Sequence, residues 1–162
     1  MPKPKKQVEK IQAYDPPLGC RKKKIRLDFN ENLAGCSARV VDTIKKIDAS
    51  TLSTYPEYTA LIEKLSKLRG LDNDNILLTS GIDEAIRSVF DTFIEKEDTI
   101  IIPVPTFDMY RLCSDLAGAK VKQTRYKKDL SFPADEVLRS IDSKTKLVVL
   151  VNPNNPTGSA IS

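Results

Sequence analysis

The sequence predicts an α/β domain built on a largely parallel sheet, and three observations carry that expectation. From residue 75 onward, short apolar runs alternate with segments of helical period. The spacing of strand, helix, strand and helix suits a sheet whose strands run the same way. The last run, Lys146–Val151 (KLVVLV), has the near-continuous apolar character of a strand buried on both faces.

Residues 1–24 show little apolar periodicity, carry prolines at 2, 4, 16 and 17, and read as an extended arm. Ile25–Phe29 is a short strand-like run. Ser37 is placed to cap a helix bearing Val40, Val41, Ile44 and Ile47 at helical spacing. Asp48–Pro56 is rich in turn formers. Glu57–Arg69 is a second amphipathic helix with Leu61, Ile62, Leu65 and Leu68 on one face and Gly70 at its end. Asn75–Thr79 (NILLT) reads as a strand, and Ser80-Gly81 leads into a helix from Ile82 to about Ile94. Thr99–Ile102 is the next strand. A helix from about Thr106 to Leu116 follows, capped by Thr106 and ended by Gly118. Lys120–Arg125 is a strand, Pro133 opens a helix to Ile141, and Lys146–Val151 closes the series.

Composition narrows the function. With 162 residues, 40% hydrophobic and 30% charged, the chain can bury one sizeable core, so a single folded domain is expected. The longest apolar stretches fall far short of the ~20 residues of a bilayer span, so no membrane partner is expected. The lysine-rich start lacks the apolar segment of a secretory signal. Cys20, Cys36 and Cys113 are scattered, without a C-x-x-C pair, which fits a reducing cytoplasm rather than a disulfide framework or zinc knuckle. There is no histidine, which excludes Ser-His-Asp and Cys-His hydrolases and His-based zinc sites within these residues; no metal is expected. The net charge of +4 gathers at Lys3, Lys5, Lys6, Lys10 and Arg21–Lys24. Such a cluster is either an anion- or nucleic-acid-binding patch or a solvated arm. No aromatic side chains interleave with it, so a platform for stacking bases is missing and nucleic acid is not the expected partner.

In parallel sheets, ligands bind beyond the carboxyl ends of the strands. Three loops lie there. Ser80-Gly81-Ile82-Asp83-Glu84 offers a glycine and the amides of a helix start, either as a phosphate site or as a plain cap with acidic first-turn residues. Pro103–Tyr110 (PVPTFDMY) places Phe107 near the strand tips, as a stacking face for a planar ring or as a core aromatic. Asn152–Gly158 (NPNNPTG) has two Asn-Pro steps and a Thr-Gly, a rigid loop that holds amide side chains at the sheet edge where they can meet a ring substituent.

The string NPNNPTG resembles the asparagine loop of class I and II aminotransferases with the aspartate-aminotransferase fold, and the other two loops precede it in that family's order. The resemblance covers roughly residues 10–160. It implies fold type I, with an arm over residues 1–24, an arm or small-domain segment with entry helices over 25–74, and the first part of the large, cofactor-binding domain over 75–162. It implies pyridoxal 5'-phosphate as cofactor. Gly81, Ile82 and Asp83 would form the phosphate cup, Phe107 would stack on the pyridine ring, and Asn155 would hydrogen-bond the ring oxygen. Tyr55, in Thr54-Tyr55-Pro56-Glu57, resembles a tyrosine that reaches the cofactor phosphate of a neighbouring subunit, which implies a homodimer.

Within the superfamily, Asp28-Phe29-Asn30-Glu31-Asn32 and the Tyr-Pro-Glu element look like histidinol-phosphate aminotransferases. By that likeness Asn30 and Glu31 lie near the substrate, and Tyr14 contacts its phosphate. Leu33 stands where a proline is common, and Thr54 where an arginine often precedes the tyrosine. The implied substrates are a phosphorylated amino alcohol or amino acid and a 2-oxo acid, in cytoplasmic histidine biosynthesis. Threonine-phosphate decarboxylases are the near alternative, and a non-catalytic binding fragment is the alternative of another class. The family's pyridine-pairing aspartate, Schiff-base lysine (in a Ser-x-x-Lys context) and substrate arginines are expected downstream of Ser162, so no lysine here is nominated as catalytic.

Overall fold

The structure is a computed structural model and describes residues 2–11 and 19–161. The chain divides into two compact units, one of Met1–Ala13 with Thr79–Ser162 and the other of Tyr14–Leu78.

The first unit holds the sheet. β1 (Thr99–Val104), β2 (Lys120–Arg125) and β3 (Thr145–Val148) lie in the order β2-β1-β3, all parallel. The central strand is the most apolar, and Ile100, Ile101 and Ile102 are almost wholly buried. Alternation along β1 sends Ile100 and Ile102 to one face, where they meet Ile86 and Phe90 of α4 (Ile82–Phe93), Cys113 of α5 (Met109–Ala117), and Val149. Ile101 points to the opposite face, the side of α6 (Ala134–Ser140) and its buried Val137. Helices on both faces are what a parallel sheet needs to bury its two apolar surfaces.

β1 runs two residues further than its sequence suggests and includes Pro103. Proline is normally kept out of central strands because it has no amide to donate. The hydrogen bonds explain the tolerance. The Ile101 carbonyl accepts the Val149 amide at 2.9 Å, so Ile101 and, two residues on, Pro103 face β3. Pairing with β3 ends at Ile101↔Val148, whereas pairing with β2 continues to Val104↔Arg125. The missing amide therefore falls where the ladder has already stopped.

Several expected boundaries move. Asn75–Thr79 is not a strand: Asn73–Asn75 forms a single 3-10 turn, and Ile76 onward is extended without a paired neighbour among the described residues. Leu77 is accordingly 76% exposed. The Lys146–Val151 run is regular strand only to Val148, and the helix expected from Thr106 begins at Met109.

In the second unit, α1 (Ala38–Ile44) starts at the Ser37 cap, whose hydroxyl accepts from the Arg39 amide at 3.2 Å. It ends before Ile47. The turn-rich stretch contains a short helix, α2 (Ala49–Leu52), because the Asp48 carboxylate accepts the Thr51 amide at 2.7 Å and caps it. α3 spans Thr59–Arg69. Ile25–Phe29 is not a strand either, and Ile25 and Leu27 stand exposed. This segment is instead tied by Arg21, whose guanidinium pairs with both carboxylate oxygens of Asp28 and lies 4.4 Å from the Phe29 ring centroid. Among the described residues, no helix is long and apolar enough to cross a membrane.

Candidate active site at the carboxyl ends of the strands

Because β1 and β3 are parallel, their carboxyl ends lie at one edge of the sheet, and the loops that leave them meet there. The junction is Asn154, which is 2% exposed although it is polar. Its Oδ1 accepts the Thr106 hydroxyl at 2.7 Å. Its Nδ2 donates to the Pro105 carbonyl and to Thr157 Oγ1, both at 2.9 Å. The Pro105 carbonyl can only accept, so the Asn154 amide nitrogen must face it. That leaves Oδ1 for Thr106, whose hydroxyl is therefore the donor. The Asn154 backbone is held as well: its amide donates to the Ser159 carbonyl and its carbonyl accepts the Gly158 amide, each at 2.7 Å. Thr106 was expected to cap α5. It is drawn away by this bond, and Asp108 occupies the cap position without a side-chain hydrogen bond.

The residue singled out in the sequence, Asn155, is the next one along. It is half-buried, and its carboxamide has no hydrogen-bond partner among the described residues. Asn154 is thus spent within the protein and Asn155 is left available. Phe107 follows Thr106 in the same way. It is half-buried, packs against the core cluster, and meets Tyr110 edge-on at 6.4 Å between centroids. Burial pushes the Tyr110 hydroxyl above its ordinary pKa.

At the start of α4, Gly81 has φ +88° and ψ −180°, a conformation that only glycine adopts readily. A Cβ built there would meet nothing within 4 Å, so the space over the turn is open. The helix has no side-chain cap, and Gly81, Ile82 and Asp83 are all exposed. The Glu84 carboxylate accepts the Ser80 amide, one residue ahead of the cap position, and the Thr79 hydroxyl donates to the Gly81 carbonyl at 2.9 Å. The amides of the first turn are left to face an anion. Ile82 also lines an apolar groove of about 280 Å³ with Tyr110 and Leu147–Leu150, so this turn and the β3 exit border one depression.

The remaining candidates belong to the other unit. Tyr55 is 97% exposed. Asn30 adopts φ +54°, a left-handed conformation that asparagine tolerates better than most side chains. The Glu31 carboxylate is engaged by two guanidinium groups, with Arg21 at 2.9 Å and Arg26 at 2.8 Å. The Arg26 Nε–H is not aligned on that oxygen, and the contact is an ion pair without a hydrogen bond. Tyr14 lies outside the described residues. Among the described residues, no cluster of three Cys, Asp or Glu side chains is placed to hold a metal ion.

Sequence reasoning missed Asn154 and Thr106. The signal was present as the doubled asparagine in NPNNPTG, but nothing in the string says which amide turns inward.

Known proteins share this arrangement of chain. The profile of the family described as aminotransferase class I and II matches residues 22–162. A histidinol-phosphate aminotransferase of Methanococcus aeolicus is 38% identical over 142 residues, which cover 85% of this chain and 38% of that protein. One from Methanocaldococcus jannaschii matches with the same identity and coverage. The chain therefore spans well under half the length of these curated relatives. The histidinol-phosphate aminotransferase of Sinorhizobium meliloti, solved in complex with pyridoxal-5'-phosphate, superposes with a TM-score of 0.73 at 22% identity over 81% of this chain and 36% of that one. That likeness is one of fold, the aspartate-aminotransferase-like fold type I expected from the sequence. The family itself rests on the profile, which matches residues 22–162 and so most of the sequence: the chain belongs to the class I and II aminotransferases.

Proposed function

We propose that the chain supplies the cofactor-gripping part of a pyridoxal-phosphate-dependent aminotransferase that acts on histidinol phosphate and 2-oxoglutarate. One observation carries the reading: Asn155, whose carboxamide has no partner among the described residues, sits on a loop locked to the loop that bears Phe107. An amide donor and an aromatic face at one sheet edge, with an uncapped helix start beyond, fit a phosphorylated aromatic ring. Gly81, Ile82 and Asp83 would hold its phosphate through backbone amides. Phe107 would cover the ring and exclude water from that face. Asn155 would donate to the ring oxygen and keep it ionised. When bound, pyridoxal phosphate supplies the electron sink for the carbon that loses a proton. The chain's own residues orient and hold; the lysine that moves the proton is assigned to sequence beyond residue 162, with residues 75–162 as the first part of the cofactor domain.

The phosphorylated substrate is supported by the two relatives at 38% identity, both histidinol-phosphate aminotransferases. Tyr14, Asn30 and Glu31 are the residues proposed on the substrate side. Tyr55, fully accessible in this chain, suits a reach into a second subunit of a cytoplasmic homodimer.

The test is to read the gene past codon 162, purify its product and titrate it with pyridoxal phosphate. Saturable binding with glutamate formed from histidinol phosphate and 2-oxoglutarate is the expected result. Carbon dioxide released from threonine phosphate would move the assignment to the decarboxylases. No saturable binding would reject the cofactor reading.

A further inference from the structure

We propose that the hydrogen-bonded pair of half-buried Thr106 and buried Asn154 is a positioning device that sets Asn155 and Phe107 against a single ligand. The inference deepens the cofactor reading and rests on it. Each member of the pair is the immediate neighbour of one nominated contact residue, Thr106 of Phe107 and Asn154 of Asn155. Among the described residues, every hydrogen bond between loops 105–108 and 152–158 passes through the Asn154 carboxamide. All its polar atoms are satisfied, and it is buried, so it has one arrangement rather than several. Phe107 cannot shift along the sheet edge without pulling Thr106 from Asn154. Asn155 cannot turn without disturbing the residue to which its backbone is joined. The pair therefore controls the offset between an aromatic face and an amide donor, which determines whether both reach the same ring.

Thr106→Val keeps the shape and removes only the hydroxyl, leaving Asn154 Oδ1 buried without a donor. Thr106→Ser keeps the donor. In this chain without cofactor, the expected signature of Thr106→Val is faster hydrogen exchange at the Gly158 amide, which Asn154 holds, with the β1 amides unchanged. In the full-length protein loaded with pyridoxal phosphate, Asn155→Ala should shift the pKa of the cofactor's visible band. Thr106→Val should shift it the same way and weaken cofactor binding about tenfold, and Thr106→Ser should restore both. In the Asn155→Ala background, Thr106→Val should add no further shift in that pKa, because it acts through Asn155.

Additive shifts, or a Thr106→Val protein with weakened binding and an unmoved band, would reduce the pair to a structural tie and overturn the proposal. An unmoved band in Asn155→Ala would instead overturn the cofactor reading beneath it. If Thr106→Val does not fold, Thr106→Ala is read by the same comparison.

Discussion

Lys122 of β2 reaches across to the end of α6, where its ammonium lies 2.7 Å from a carboxylate oxygen of Asp142 and 3.2 Å from the Ser140 carbonyl. A cation there meets both a carboxylate and the negative end of a helix. The Lys122 hydrogen bond is the main reason the Asp142 carboxyl sits below the usual range, aided by the Lys144 amide.

The sign of the pH dependence follows. A depressed folded pKa means Asp142 favours the fold fully above its unfolded pKa of about 3.9. The contribution is lost as pH falls through the folded value. Lys122→Met should move the Asp142 pKa upward toward the free value, measured by carboxyl-carbon NMR. The remaining Lys144 and Thr145 contacts should keep the shift from disappearing. Both side chains are nearly half exposed, so added salt should shrink the wild-type shift. An Asp142 titration indifferent to Lys122 would show that the pair does not form.

Thr124 lies opposite Pro103 in the β1–β2 register, is 1% exposed, and its hydroxyl has no partner among the described residues. Thr124→Val removes an unsatisfied polar atom at nearly constant shape in a residue that favours strands. The expected change is a gain of about 1 kcal/mol in unfolding free energy, read from urea denaturation. A loss of that size would mean the hydroxyl has a partner after all.

Gly81→Ala tests the turn at the head of α4. With no neighbour for a Cβ, the cost comes from the backbone alone, about 1–3 kcal/mol at φ +88°. Urea titration of the two proteins measures it. Equal midpoints would show that the turn relaxes into an ordinary conformation.

The three thiols should divide by accessibility. Cys20 and Cys36 are exposed, whereas Cys113 is buried in the core between α5 and the sheet, and burial pushes its thiol up. An aromatic disulfide reagent at pH 8 should label two thiols quickly and the third only as the protein unfolds. Three equal rates would contradict the packing around Cys113.

How much of this was legible beforehand depended on whether the cause was local. The helix of Ile82–Phe93 and the run Ile100–Ile102 carry their own pattern, and the structure follows it closely. NPNNPTG was recognisable because two Asn-Pro steps leave a loop few shapes. Asn75–Thr79 failed because strand identity belongs to a pair, and Leu77 has no paired neighbour among the described residues. Thr106 failed for a related reason. Its sequence fits a cap, but a buried acceptor 48 residues later outbids the local choice. Pro103 looked like the end of a strand because only the hydrogen-bond direction reveals that its missing amide is harmless.

The distance along the chain between Thr106 and Asn154 also governs how this edge comes into being. Neither loop is completed by itself, since each is held by a contact between residues 48 positions apart. That closure carries an entropic cost, which the contacts made by the aligned β1 and β3 offset. A small molecule that needs both loops would then bind only the finished fold, and its mass action would stabilise that fold in proportion to its concentration. The same edge that grips a ligand would thereby act as a ligand-fed latch on the folding equilibrium.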